Sequence, residues 1–386
     1  MWGHMKKNIS LLICFLLVIT LSGCKTNYQE TDASYFKFRS AFSDYIEIYE
    51  FDKENFKEEQ LIIPSQYNGK KVISITKEVF NDLYFVKVVK LPKYLVELND
   101  NFNNCKDLEI IIFNKKLKVV NNCFQNCRNL KNVYMNSSLE SVIFSFDNCN
   151  AVEEIIIPIN VKTIDSSFNK CDILKNVKFS QFSKLEKITG FNFCTSLKKI
   201  EFPINSKYIG GFNNCNELKE IKFSNVSNYI FGFSNCDELE KIKFPRHVKT
   251  ISGFDYCIKL KEVKFNRNVE EICGFNNCHE LEEVKFVTGC KVESLSGFNY
   301  CQNLKQFKIP RQTIILKQFL SYSGIEEIVI PRNIEEISGK CFVSCESLEK
   351  VSFKKGSKLK IITYDCFKDC NNLQGLYVPN GAERVE

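Results

Sequence analysis

The sequence predicts a β-rich repeat solenoid of about fourteen rungs, with parallel strands stacked along one face and short strands and turns on the other. Three observations predict it. A unit Phe-x-x-Cys-x-x-Leu-x-x-Ile/Val-x-Phe recurs, as in Phe233 to Phe244 and Phe254 to Phe265, with its leading Phe at 80, 102, 124, 146, 168, 191, 212, 233, 254, 275, 298, 319, 342 and 367. Each unit continues into an apolar pair three residues apart, such as Val248/Ile251, Val269/Ile272 and Ile334/Ile337. The steps of 21 to 25 residues leave no stretch for another domain. One such unit has too few apolar side chains to close a core, so it is stable only when its neighbours cover it.

The elements follow in chain order. Residues 1–23 read as a lipoprotein signal peptide: Lys6 and Lys7 precede an apolar run from Ile9 to Leu21, shorter than a mature membrane helix requires. The run leads into Leu21-Ser22-Gly23-Cys24, which resembles a bacterial lipobox; the resemblance implies that Cys24 is acylated and anchors the chain. Residues 24–44 are read as anchor and linker, 45–79 as an N-terminal capping segment with the first repeat, and 80–386 as the solenoid. Within a unit, Leu-x-x-Ile-x-Phe reads as a short parallel strand, because alternation sends Ile242 and Phe244 inward and Lys241 and Lys243 outward. Pro at 158, 203, 245, 310 and 331 ends the ladder, having no N–H to donate. The apolar pair reaches the next Phe in five steps near the ends (Ile75 to Phe80, Ile337 to Phe342, Ile362 to Phe367) and in three across the centre, from Ile188/Phe191 to Leu316/Phe319. A short Ser-Gly-Phe or Gly-Gly-Phe turn is therefore expected to replace a helical turn there.

This pattern resembles the BspA-type leucine-rich repeats, whose units run roughly Ile-x-x-x-Ala-Phe-x-x-Cys-x-x-Leu-x-x-Ile-x-Ile-Pro-x-x-Val. The resemblance covers about residues 61 to 379 and includes the opening turn from Leu61 through Pro64 and Gly69 to Ile75. It implies a protein of the cell surface used for adhesion and partner binding. The expected location is accordingly a bacterial cell membrane or outer surface, lipid-anchored and facing outside.

Nineteen cysteines in an exported chain would ordinarily suggest a disulfide framework. Twelve of them, at 105, 127, 149, 171, 194, 215, 236, 257, 278, 301, 345 and 370, hold one repeat position. Stacked at the rung spacing of about 4.8 Å with parallel Cα–Cβ bonds, they are too far apart for a disulfide's closer, twisted geometry. They read as reduced, buried, small side chains. Tyr322 and Leu83 are assigned to the same position. Cys341, Cys345, Cys366 and Cys370 could in principle form a tetrahedral zinc site, but Cys341 and Cys366 fall where the resembled family has a small core residue; no metal and no cofactor is implied.

No phosphate loop, His-Glu-x-x-His or Gly-x-Ser-x-Gly occurs, and His247 and His279 lie on different repeats without a matching acid or nucleophile. The chain reads as a binding surface, not an enzyme. Formal net charge falls from +7 to +5 without Lys6 and Lys7, which with export argues against a nucleic-acid partner.

A partner is expected on the outward strand positions. Reading the residue between Ile/Val and Phe rung by rung gives Ile112, Tyr134 and Ile156, then Lys178, Glu201, Lys222, Lys243, Lys264, Lys285 and Lys308. With Ile110, the first three form an apolar end suited to an extracellular host or bacterial surface protein, unless the segment before residue 61 folds over it. The lysine row offers an alternative contact for an acidic glycan or envelope polymer, although Glu220, Glu262 and Glu283 stand beside Lys222, Lys264 and Lys285.

Overall fold

The computed structural model describes residues 28–180 and 182–385. Cys24 and the signal segment lie outside them. The described chain is a succession of parallel rungs with a single short 3-10 helix, Ala33–Tyr35, among the described residues. Its spine is one sheet of fourteen strands running from Glu97–Asn99 to Glu383–Val385, every pairing parallel. The inward residue of each rung is the second member of the apolar pair: Val120, Val142, Ile164, Ile188, Ile209 and Ile230 stand in register and fully buried. These residues are β-branched and suit a strand that packs one face on a core.

The Leu-x-x-Ile-x-Phe segments form the opposite wall, and here the assignment of faces is corrected. They do pair in parallel with the expected register, but in five separate ladders instead of one sheet. The longest joins Gln60–Ile62, Val88–Lys90, Ile110–Ile112 and Asn132–Tyr134. Proline contributes to the interruption: the carbonyls of Pro158, Pro203, Pro245, Pro310 and Pro331 each accept from the N–H three residues on, closing a turn that bends the chain toward the spine.

Between the walls lies a column of phenylalanines. Phe80, Phe102, Phe124, Phe146, Phe168 and Phe191 stack with centroids 5.0–5.4 Å apart, and the column continues through Phe212, Phe233, Phe254 and Phe275 to Phe298. All are fully buried. The rung repeat thus places ring on ring, and each pair gains about 1 kcal/mol beyond the area it buries.

At the next rung the sequence register fails. Gly297 pairs with Phe319, so Phe319 occupies the glycine position and Leu320 takes the place of the stacked Phe. The ring of Phe319 turns edge-on to Phe298 and to Phe342, and stacking resumes only at Phe342 and Phe367. In consequence Ser323, not Tyr322, holds the cysteine position, its hydroxyl donating to the Leu320 carbonyl at 2.6 Å. Tyr322 lies outside, stacked on Tyr300.

The short central turn is built on a glycine column: Gly190, Gly211, Gly232, Gly253, Gly274 and Gly297 all have φ between +66° and +121°. A Cβ on Gly211 would stand 2.4 Å from the main-chain nitrogen of Gly190. Close rung contact and left-handed backbone together demand glycine here. Toward the ends the same position holds Asn101, Cys123, Ser145 and Ser167, whose side chains accept from or donate to neighbouring backbone.

The N-terminal boundary is also revised. Phe36–Phe42, read as linker, is a strand antiparallel to Tyr45–Phe51, which in turn pairs in parallel with Lys70–Ile75. Phe36 and Phe51 lie against the first column ring, Phe80, so this hairpin covers the end of the core.

Candidate binding surfaces

The outward row has the predicted register: Ile112 is paired with Tyr134, Ile156 with Lys178, Glu201 with Lys222, Lys243 with Lys264, and Lys264 with Lys285. At the apolar end Ile110 and Ile112 are half-buried, whereas Tyr134 is 40% and Ile156 50% exposed. The segment ahead of residue 61 reaches the border of this patch. Thr31 exchanges hydrogen bonds with Ile62, and the Lys90 ammonium sits 5.1 Å from the centre of the Tyr28 ring. Burial raises the Tyr134 phenol above its ordinary value.

The lysines pair mostly across rungs; of the within-strand pairs expected, only Lys285 with Glu283 forms. Lys222 bonds Glu201, Lys178 bonds Glu154 at 2.7 Å, and Lys285 takes both Glu262 at 3.0 Å and Glu283 at 2.5 Å. In-register parallel strands bring a long side chain over its neighbour's carboxylate, so Glu262 serves Lys285 and leaves Lys264 without an ion pair. Among the described residues Lys243, Lys264 and Lys308 make no ion pair. These surface pairs are worth little, about 0–1 kcal/mol each.

The thiols occupy the core. All seventeen described cysteines are free, and all but Cys273 and Cys370 are buried. Each ladder thiol donates to the carbonyl of the column residue on the preceding rung: Cys127 to Phe102 at 3.1 Å, Cys149 to Phe124 at 3.2 Å, Cys257 to Phe233 at 3.3 Å, and Cys345 to Leu320 at 3.0 Å. Phe102 and Phe124 are left-handed, with φ near +60°, and at Phe124 and Phe233 no main-chain N–H reaches that carbonyl. Cysteine is small enough for the core yet still carries a donor. Burial pushes the Cys215, Cys257 and Cys301 thiols up to about 12. Burial and the neighbouring Cys366 thiol raise Cys341, and the neighbouring Cys370 thiol and burial raise Cys345, while Cys366 and Cys370 are lowered beside these partners. His247 is exposed, and His279 meets only the Tyr300 carbonyl through Nδ1.

Sequence reasoning overlooked the ridge where each rung turns, just before the cysteine. One position there forms an amide ladder: Asn169, Asn192 and Asn213 each turn Oδ1 to the N–H of the same position on the following rung, at 3.0–3.1 Å. Asp147 and Asp255 hold the same place, and burial pushes the Asp147 carboxyl up. The next position is left-handed throughout, with Asn at 104, 126, 148, 214, 235 and 277. Asn tolerates that backbone, and its recurrence before Cys was the available signal. Beside these residues runs an open groove of about 590 Å³, lined by Asn192, Phe193, Asn213, Asn214, Ser234 and Asn235, with Asn169 and Lys170 at one end.

Residues 44–165, 143–253 and 229–345 match the BspA type leucine rich repeat region. No curated protein matches by sequence. Among solved structures, a leucine-rich repeat protein from Bacteroides ovatus is similar at 21% identity and a TM-score of 0.66, over 93% of this chain and 99% of its own. A leucine rich cell surface protein from Faecalibacterium prausnitzii is similar at 22% identity and a TM-score of 0.54, over 86% and 96%.

Proposed function

Because the chain belongs to the BspA-type leucine-rich repeat family, we propose that it is a lipid-anchored surface protein that binds another protein through its outward row. The observation that carries this reading is the patch of Ile110, Ile112, Tyr134 and Ile156, of which the last two stand well exposed at the end of the solenoid nearest the described N-terminus. An aligned apolar group rimmed by charge is what a protein interface uses at its centre. Cys24 supplies the anchor in this reading, and partners are extracellular proteins of a host or of neighbouring bacteria. The family and its repeat architecture support protein binding over catalysis.

The test is binding of candidate extracellular proteins to the mature chain and to a variant carrying Ile112→Asp, Tyr134→Asp and Ile156→Asp. The expected outcome is at least a hundredfold loss of affinity with an unchanged melting curve; binding that survives all three substitutions rules this face out. A second reading, contact with an acidic glycan or envelope polymer, is favoured by the unpaired Lys243, Lys264 and Lys308. It requires an affinity for heparin that falls steeply between low and high salt.

A further inference from the structure

The groove on the turning ridge has a composition unlike the rest of the surface. Of its lining residues only Lys170 is charged, and no carboxylate is among them. Amides dominate, and they are in two states. On the first rungs the ridge amides are zipped together, Asn126 Nδ2 donating to Asn104 at 2.9 Å and Asn148 Nδ2 to Asn126 at 2.9 Å. Asn214 and Asn235 stand on consecutive rungs in the same left-handed conformation, yet no hydrogen bond joins their side chains to each other or to another described residue. Each half-buried amide therefore presents a free donor and a free acceptor to the groove.

Two exposed aromatic side chains bracket this stretch. Phe193 precedes Asn214 on the ridge and Tyr256 follows Asn235; they are 44% and 49% exposed. Their φ values are +62° and +60°, a conformation that asparagine adopts readily and a bulky aromatic adopts at a cost. Phe124, Phe146, Phe168, Phe191 and Phe275 of the column accept the same cost and are compensated by complete burial. Phe193 and Tyr256 have no such compensation within the chain. Three rungs separate them, a span of about 14 Å at the strand spacing.

We propose that this groove binds an uncharged polysaccharide, with the sugar chain lying along the solenoid axis. Its hydroxyl groups, each both donor and acceptor, match the free amides of Asn214 and Asn235, and its apolar ring faces rest on Phe193 and Tyr256. The span suits a short run of pyranose rings, not a single sugar. The site is separate from the outward row, so it stands or falls independently of the protein-binding face.

The experiment is electrophoresis of the folded mature chain through native gels containing hydroxyethyl cellulose, yeast mannan or, as the charged comparison, heparin. Retardation by a neutral polymer is expected, insensitive to salt and unchanged by Lys243→Ala, Lys264→Ala and Lys308→Ala. Phe193→Asn restores the residue that the ridge carries at 214 and 235, so it is expected to melt no lower than the parent while weakening retention about tenfold. Tyr256→Asn provides the same test at the other end. Absence of retardation in both neutral polymers, retardation by heparin alone, or retention untouched by both aromatic substitutions overturns the proposal.

Discussion

At the scale of single residues, the cysteines illustrate how a repeat position is chosen by two requirements at once. The ladder thiol fills a small apolar space and donates to a carbonyl that, at Phe233, no main-chain N–H serves. Cys257→Ala keeps the volume nearly right and strands the Phe233 carbonyl, which is expected to cost about 1–3 kcal/mol in urea unfolding. Cys257→Ser is expected to cost less, since a hydroxyl of similar size can still donate to the Phe233 carbonyl. Burial raises this thiol from its ordinary 9.0 to about 12. The folded chain therefore keeps a proton that the unfolded chain releases between those values. The linked stability, about 4 kcal/mol per such thiol, is fully present below pH 9 and is lost as pH rises toward 12. Circular dichroism against pH is expected to show cooperative unfolding in that window, and not on the way down to pH 7. Thiol reagents at pH 8 are expected to reach exposed Cys273 first among the described cysteines.

At the scale of elements, the turn between strand and column decides how tightly rungs approach. Gly211→Ala places a Cβ against the Gly190 backbone in a left-handed conformation and is expected to destabilise by about 2–3 kcal/mol, read from the urea midpoint. The same column explains what could and could not be read from sequence. The periods of Phe, Cys and Ile fixed the rungs and the outward register, because each side chain must face its copy. The error at 319 arose because Phe319 continues the spacing of its predecessors while Leu320 can fill the same hole; only the packed core decides between them. The missed strand Phe36–Phe42 lies outside the period altogether. Which wall would be continuous was equally hidden, since both half-units alternate alike and the difference comes from prolines and turns closing one side. The amide ridge was visible as recurring Asn, but which of those amides bond one another is not written in the recurrence.

At the scale of the whole molecule, each rung touches only the rungs beside it, and stability is the sum of those interfaces. Removing one column ring should therefore be felt locally. Phe233→Ala is expected to cost about 3–5 kcal/mol. Hydrogen exchange is expected to quicken around 212–254 and to leave the rungs between 80 and 146 protected; uniform loss of protection would instead mean one cooperative unit. The binding surfaces inherit this independence, because the outward row and the turning ridge belong to different sides of each rung. The hairpin that meets Phe80 adds a direction to the stack. It closes the core at the end made first during synthesis. A chain delivered N-terminus first can thus finish its lid before its later rungs exist, and each newcomer finds a completed template to lie on.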